Sequence, residues 1–231
     1  MVENSFNPKE FLPVTAPVHS IECSAAFAQL EQNEALYAYY MTRASWEGAK
    51  ICWFQRSYES PALNVLLSLV FGDGVQSAKE RALAAGVSDE EWSQFVVYSA
   101  GVYQNCGNFQ SFGDNKFVPQ CPPEKFKAVV RASKAYETKK DVLEDILTRT
   151  ERELYCEDEG MNLIGFPDVN KGVSSYYSSN CTSEDAKLID EFCQSKNISP
   201  LNTRLFKSAD GKSYNLRICS QLADTSKTPY V

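Results

Sequence analysis

The chain has 231 residues, a formal net charge of −7, and 43% hydrophobic and 23% charged residues. That is the composition of an ordinary globular protein with enough chain for a sizeable core. The acidic balance, with basic residues scattered rather than clustered beside aromatics, argues against nucleic acid and anionic membrane surfaces as partners. One histidine, His19, excludes a two-histidine zinc site and leaves a Ser-His or Cys-His nucleophile pair with only His19 to draw on.

The first residues, Met1–Glu10, lack the basic start and apolar stretch of a secretory leader, and the apolar run Ala62–Phe71 is about half a bilayer span. The expectation is a cytoplasmic chain with no membrane partner. Eight cysteines are spread without a C-x-x-C pair, which reads as small buried thiols in a reducing compartment. Cys106 and Cys121 bracket one loop and could approach one another.

In chain order, Ser24 to Arg56 shows helical spacing, with Phe27, Leu30, Leu36, Tyr37, Tyr40, Met41, Ala44, Ala49 and Trp53 on one broad face. Ser60-Pro61 predicts an N-cap and a proline at the first helical position, opening a helix that ends near Gly72. A further helix runs from about Ser77 to Gly86. Ser88-Asp-Glu-Glu91 is a capping box that starts a helix carrying Trp92, Phe95, Val96, Ser99 and Val102.

Gly101–Pro119 then breaks every periodicity. Gly107 and Gly113 permit backbone angles that other residues resist, and Asn105, Asn108 and Asn115 tolerate them. Loops this long are uncommon in compact domains and are usually binding loops, lids or disorder. Phe109, Phe112 and Phe117 argue for an ordered loop, because that much aromatic surface has to pack.

Beyond it, Pro122-Pro123 opens a helix through Ala135, and Asp141 is read as the cap of another with Val142, Ile146, Leu147 and Leu154 as its stripe. Glu157–Gly172 interrupts the helical pattern. Its acidic cluster lacks the carboxylate ladder of a calcium loop and reads as a solvated helix end. Val173 to Tyr177 is a short strand candidate, and Thr182-Ser-Glu-Asp185 caps a helix with Ala186, Leu188, Ile189, Phe192 and Cys193. Asn202–Lys207 and Ser213–Cys219 alternate with period two around Asp210-Gly211, a hairpin signal.

Four segments read together carry a resemblance: Ala35–Ala44, Tyr98–Pro119 with its Asn-Cys-Gly-Asn-Phe-Gln-Ser-Phe-Gly-Asp core, Tyr176–Lys187, and Asn202–Lys207. In this order and spacing they resemble the N-terminal part of the dipeptidyl peptidase III family of zinc exopeptidases, over nearly all of the chain after about residue 20. The resemblance implies the fold class α+β, predominantly helical: a bundle-like N-terminal part and a C-terminal β-hairpin that would join a larger sheet or barrel. It implies an irregular segment 1–20, a helical part of the substrate-binding lobe over 21–200, and the start of the lobe's β-structure with a polar tail over 201–231.

Zinc serves the intact family through His-Glu-x-x-Gly-His and Glu-Glu-Cys-x-Ala-Glu motifs. Neither occurs here, so no catalytic residue, no metal ligand and no zinc bound by this chain alone are expected. The resemblance further implies short peptides as partners, held across a cleft between two lobes, with Phe112 in Ser111-Phe-Gly-Asp114 lining that cleft beside Gly113, Phe109 and Ser111. Local core packing is the competing reading of Phe112, and a surface ion pair that of Asp114 with Lys116. A non-catalytic peptide- or protein-binding chain is the alternative to a lobe of a peptidase.

Overall fold

The structure is a computed structural model, and it describes residues 11–111, 115–156, 164–169, 172, 174, 176–200 and 203–218. Among these the architecture is a helical bundle followed by one antiparallel hairpin. The helices are α1 (Ser24–Phe27), α2 (Gln32–Arg56), α3 (Ser60–Val70), α4 (Val75–Ala84), α5 (Asp89–Asn105), α6 (Pro123–Ala132), α7 (Tyr136–Tyr155) and α8 (Ser183–Ser195). The strands are β1 (Thr203–Lys207) and β2 (Tyr214–Ile218). No helix among the described residues is long and apolar enough to cross a membrane.

The core lies where α3 to α7 meet. Leu63, Leu66, Leu67 and Val70 give α3 a fully buried stripe, and α5 sets Trp92, Phe95, Tyr98 and Val102 against it. Aromatic rings then run in sequence through the interior. Phe95 lies 5.0 Å from Phe126 on α6, Phe126 lies 6.4 Å from Tyr155 on α7, and Tyr98 lies 5.7 Å from Phe117 in the loop after α5. These edge-on and tilted contacts are the arrangements that aromatic quadrupoles favour. The Tyr155 hydroxyl donates to the Cys121 carbonyl at 2.9 Å, fixing the segment that follows the loop.

The helix starts follow local chemistry. Ser88 accepts the Glu91 amide while Glu91 accepts the Ser88 amide, as the capping box predicts. Thr182 and Asp185 repeat the arrangement on α8. Ser60 is the first residue of α3 rather than its cap, a one-residue displacement with Glu59 in the cap position. The α7 helix begins before Asp141, at Tyr136, and bends at Lys139, whose φ of −130° and ψ of 30° are not helical. Leu143, Ile146, Leu147, Thr150 and Leu154 are buried, while Val142, expected inside, is 48% exposed.

The predicted face of α1 and α2 does not meet a core among the described residues. Trp53 is buried, but Phe27, Leu30, Leu36, Tyr37, Tyr40 and Met41 are exposed. The helices form because their residues and the Glu31–Glu34 capping box favour them. Burial needs a partner surface, and among the described residues the last turns of α2 have one.

The hairpin pairs Thr203 with Ile218 and Lys207 with Tyr214, around a turn in which Gly211 takes φ +70°. On its inner edge Tyr177 bridges to Leu205, the Leu205 amide donating to Tyr176 and the Ser178 amide to Leu205, each at 2.9 Å. Of the strand candidate at Val173–Tyr177, Val173 and Ser175 lie outside the described residues, as do Glu157, Asp158 and Glu159 of the acidic cluster. Arg204 anchors the hairpin to the end of α2: its guanidinium sits 4.1 Å from the Phe54 ring centroid and 5.4 Å from that of Tyr176, and donates to the Phe54 carbonyl at 2.7 Å. Phe206 and Ile218 remain exposed, and the outer edge of β2 carries no ladder among the described residues.

Candidate functional site: the glycine-rich loop

The chain leaves α5 by a tight left-handed closure. Cys106 takes φ 51° and ψ 42°, Gly107 takes φ +146°, and the Gly107 amide reaches back to the Val102 carbonyl at 2.9 Å. A Cβ at Gly107 would stand 2.3 Å from Ser60 Oγ and 2.6 Å from Arg56 Cγ, so only glycine lets the loop press this closely on the corner between α2 and α3.

From there the loop is a narrow hairpin. The Phe117 amide donates to the Asn108 carbonyl at 3.0 Å, the Gln110 amide donates to the Asn115 carbonyl at 2.8 Å, and Phe109 bridges to Lys116 in antiparallel register. Asn105 ties its shoulder down, donating to the Gly101 carbonyl at 2.8 Å and accepting the Ser111 amide at 2.9 Å. The Arg56 guanidinium donates to Ser111 Oγ at 3.3 Å.

The underside of this hairpin is polar and buried. Asn108 is 0% exposed. Its Nδ2 donates to Glu59 Oε1 at 2.8 Å, and its Oδ1 accepts from Ser57 Oγ at 3.3 Å. Ser57 Oγ and Ser60 Oγ are 2.7 Å apart. Lys116, read from sequence as half of a surface ion pair with Asp114, is instead buried, with Nζ 3.6 Å from the same Glu59 oxygen. Burial first, and then the Glu59 carboxylate, push the Tyr98 phenol well up.

Of the residues expected to face a peptide, Phe109 is 1% exposed in the hairpin stem, with Lys116 Nζ 5.8 Å from its ring centroid. Ser111 is exposed at the shoulder. Phe112 and Gly113 lie outside the described residues, with Asp114. Sequence reasoning missed Glu59, Asn108 and Lys116 as one group. Glu59 sits in a helix start and Lys116 in a polar run, so no periodic signal joins them.

The two cysteines that bracket the loop are free, and each thiol is pushed up by burial, Cys121 to about 11. At neutral pH both are thiols, which suits packing and not nucleophilic attack. Among the described residues no group of three or more His, Cys, Asp or Glu is placed to hold a metal such as zinc, and His19 is exposed in the segment before α1. The described residues do not fit the ion.

The model of peptidase family M49 matches residues 146–230, the part of the chain that follows the loop. Similarity to whole proteins extends over nearly all of the chain. It is 40% identical to dipeptidyl peptidase 3 of Nematostella vectensis over 227 residues, 95% of this chain and 31% of that protein. It is 39% identical to dipeptidyl peptidase 3 of Homo sapiens over 215 residues, 91% of this chain and 29% of that protein. The Dictyostelium discoideum protein of the same name is 35% identical over 226 residues, 97% of this chain and 30% of its own length. The chain is therefore homologous to the dipeptidyl peptidase III family, M49, and it spans less than a third of the length of these relatives.

Proposed function

We propose that this chain is the helical, peptide-facing part of the substrate-binding lobe of a dipeptidyl peptidase III-type exopeptidase, whose whole polypeptide releases dipeptides from the N-termini of short peptides. The observation that carries the reading is similarity at 35–40% identity across more than nine-tenths of the chain, around a loop whose limbs are hydrogen-bonded to one another. In this reading residues 21–200 form the helical part of the lobe and 201–231 begin its β-structure. Ser111, Phe112, Gly113 and Phe109 are its peptide-binding residues. An aromatic face accepts varied apolar side chains without demanding one hydrogen-bond pattern. No hydrolytic step is assigned to this chain's residues, and the zinc ion of the intact family is held outside it.

The exposed face of α2, with Leu36, Tyr37, Tyr40 and Met41, favours a lobe over a self-sufficient binding protein, because an apolar face of that kind marks a surface made to be covered. The test is incubation of the purified chain with a dipeptidyl-arylamide and added zinc. No turnover is expected, and turnover abolished by a chelator would overturn the reading. Calorimetry with short apolar peptides should give a Kd of about 1 mM or weaker, since half of a cleft recovers little of the cost of association. Micromolar binding would instead establish the free-standing binding protein.

A further inference from the structure

Lys116 carries a charge into the interior without full compensation. Its side chain is 1% exposed, its Nζ lies 3.6 Å from Glu59 Oε1, and that atom makes no hydrogen bond to any described residue. Its other neighbour is the face of Phe109, at 5.8 Å. Desolvation cancels much of the attraction in such a pair, so a buried ion pair is a poor source of stability and a good means of registering one segment against another. The geometry has that character. Asn108 and Lys116 stand on opposite limbs of the loop hairpin, and both approach the same oxygen of Glu59, Asn108 at 2.8 Å. A single carboxylate oxygen at the start of α3 thus grips both limbs. A slip of one residue would turn Lys116 to the other face and leave Glu59 without its cation.

We propose that Glu59 is a positioning residue for the glycine-rich loop, with Asn108 and Lys116 as its two grips: the buried pair fixes the register of the limbs 108–110 and 115–117, and with it the direction in which the turn bearing Ser111 leaves the fold. Its consequence for peptide binding rests on the substrate-lobe reading above; the register itself does not.

The 231-residue chain is compared with E59Q/K116M, which removes both charges while keeping an amide oxygen for Asn108, and with K116M alone. For the double variant the melting temperature should stay close to that of the parent, while the Gln110 and Phe117 amides, bonded across the hairpin, exchange about tenfold faster and the Val102 amide inside α5 is unchanged. K116M alone should melt earlier, because it strands the Glu59 carboxylate. Loop exchange within about threefold of the parent in the double variant would overturn the proposal. So would loss of cooperative folding, because the pair would then be carrying stability rather than register. The dipeptidyl-arylamide assay on the same proteins separates the two readings: chelator-sensitive turnover by the parent would overturn the substrate-lobe reading and leave the exchange data to decide the register.

Discussion

Helices α2 and α5 are both long, both rich in aromatic residues, and both opened by a capping box, yet they end in different surroundings. The shorter, α5, buries Trp92, Phe95, Tyr98, Ser99, Gly101 and Val102, whereas α2 buries Trp53 near its C-terminal end. The difference lies in the neighbours. Helices α3, α4 and α6 and the glycine-rich loop pack against α5, while the first turns of α2 are exposed. Amphipathic spacing therefore makes a helix, and a second surface makes it a core element.

The largest effect should come from breaking the α5 side of that comparison. Phe126 is 1% exposed and touches Phe95, Tyr98 and Tyr155. Phe126→Ala should cost about 3–5 kcal/mol, a large share of the stability of any single domain. Tyr40→Ala, on the exposed face of α2, should change stability by less than about 0.5 kcal/mol. Urea unfolding of the two variants measures the contrast, and equal shifts would show that α2 is packed after all.

A smaller effect sharpens where α2 joins the core. Gly107 touches Arg56 at the last turn of α2 and Ser60 at the first of α3, in a backbone conformation foreign to residues with a Cβ. Gly107→Ala should destabilise by about 2 kcal/mol, with faster amide exchange at Gln110 and Phe117 than at the start of α2. A neutral outcome would mean that the corner can open without consequence.

Much of the helical frame was legible, because capping depends on residues three apart in the chain. Ser88 with Glu91 and Thr182 with Asp185 could be read directly, as could the Asp210-Gly211 turn. Burial was less legible. Val142 and Leu143 are neighbours, but Leu143 shares the buried face with Leu147, Thr150 and Leu154 at helical spacing, and Val142 falls on its flank. The loop was recognisable by its glycines and asparagines, but its seat was not. Glu59 and Lys116 are far apart in sequence, and a lysine reads as solvent-exposed until its partner is known.

The hairpin is held by means different from either helix, with polar ties from Arg204 and Asp185, and the second of these makes it pH-dependent. Asp185, 6% exposed, accepts from both Lys207 and Tyr214 on the strands and from Thr182 at its own helix start. Burial opposes its charge, but the bonds from Lys207, Tyr214 and Thr182 outweigh burial and hold its carboxyl well below the usual carboxylate range. A depressed folded value fixes the sign. The contribution is fully present above the unfolded value of about 3.9 and is lost as pH falls below it, because the unfolded chain then takes a proton that the folded carboxylate refuses. Glu144 behaves in the same direction, held at about 2 by the Arg131 guanidinium and then the Tyr136 hydroxyl, so acid weakens the α6–α7 clamp as well. The difference between the parent and Asp185→Asn isolates the hairpin. At neutral pH the substitution should cost about 1 kcal/mol. As pH is lowered from about 5 to 2 the gap should narrow steadily, since the parent loses what the variant never had. Exchange of the Leu205 amide, bonded to Tyr176 across this junction, follows the same window, and a gap that stayed constant over that range would show that Asp185 holds the hairpin by shape rather than by charge.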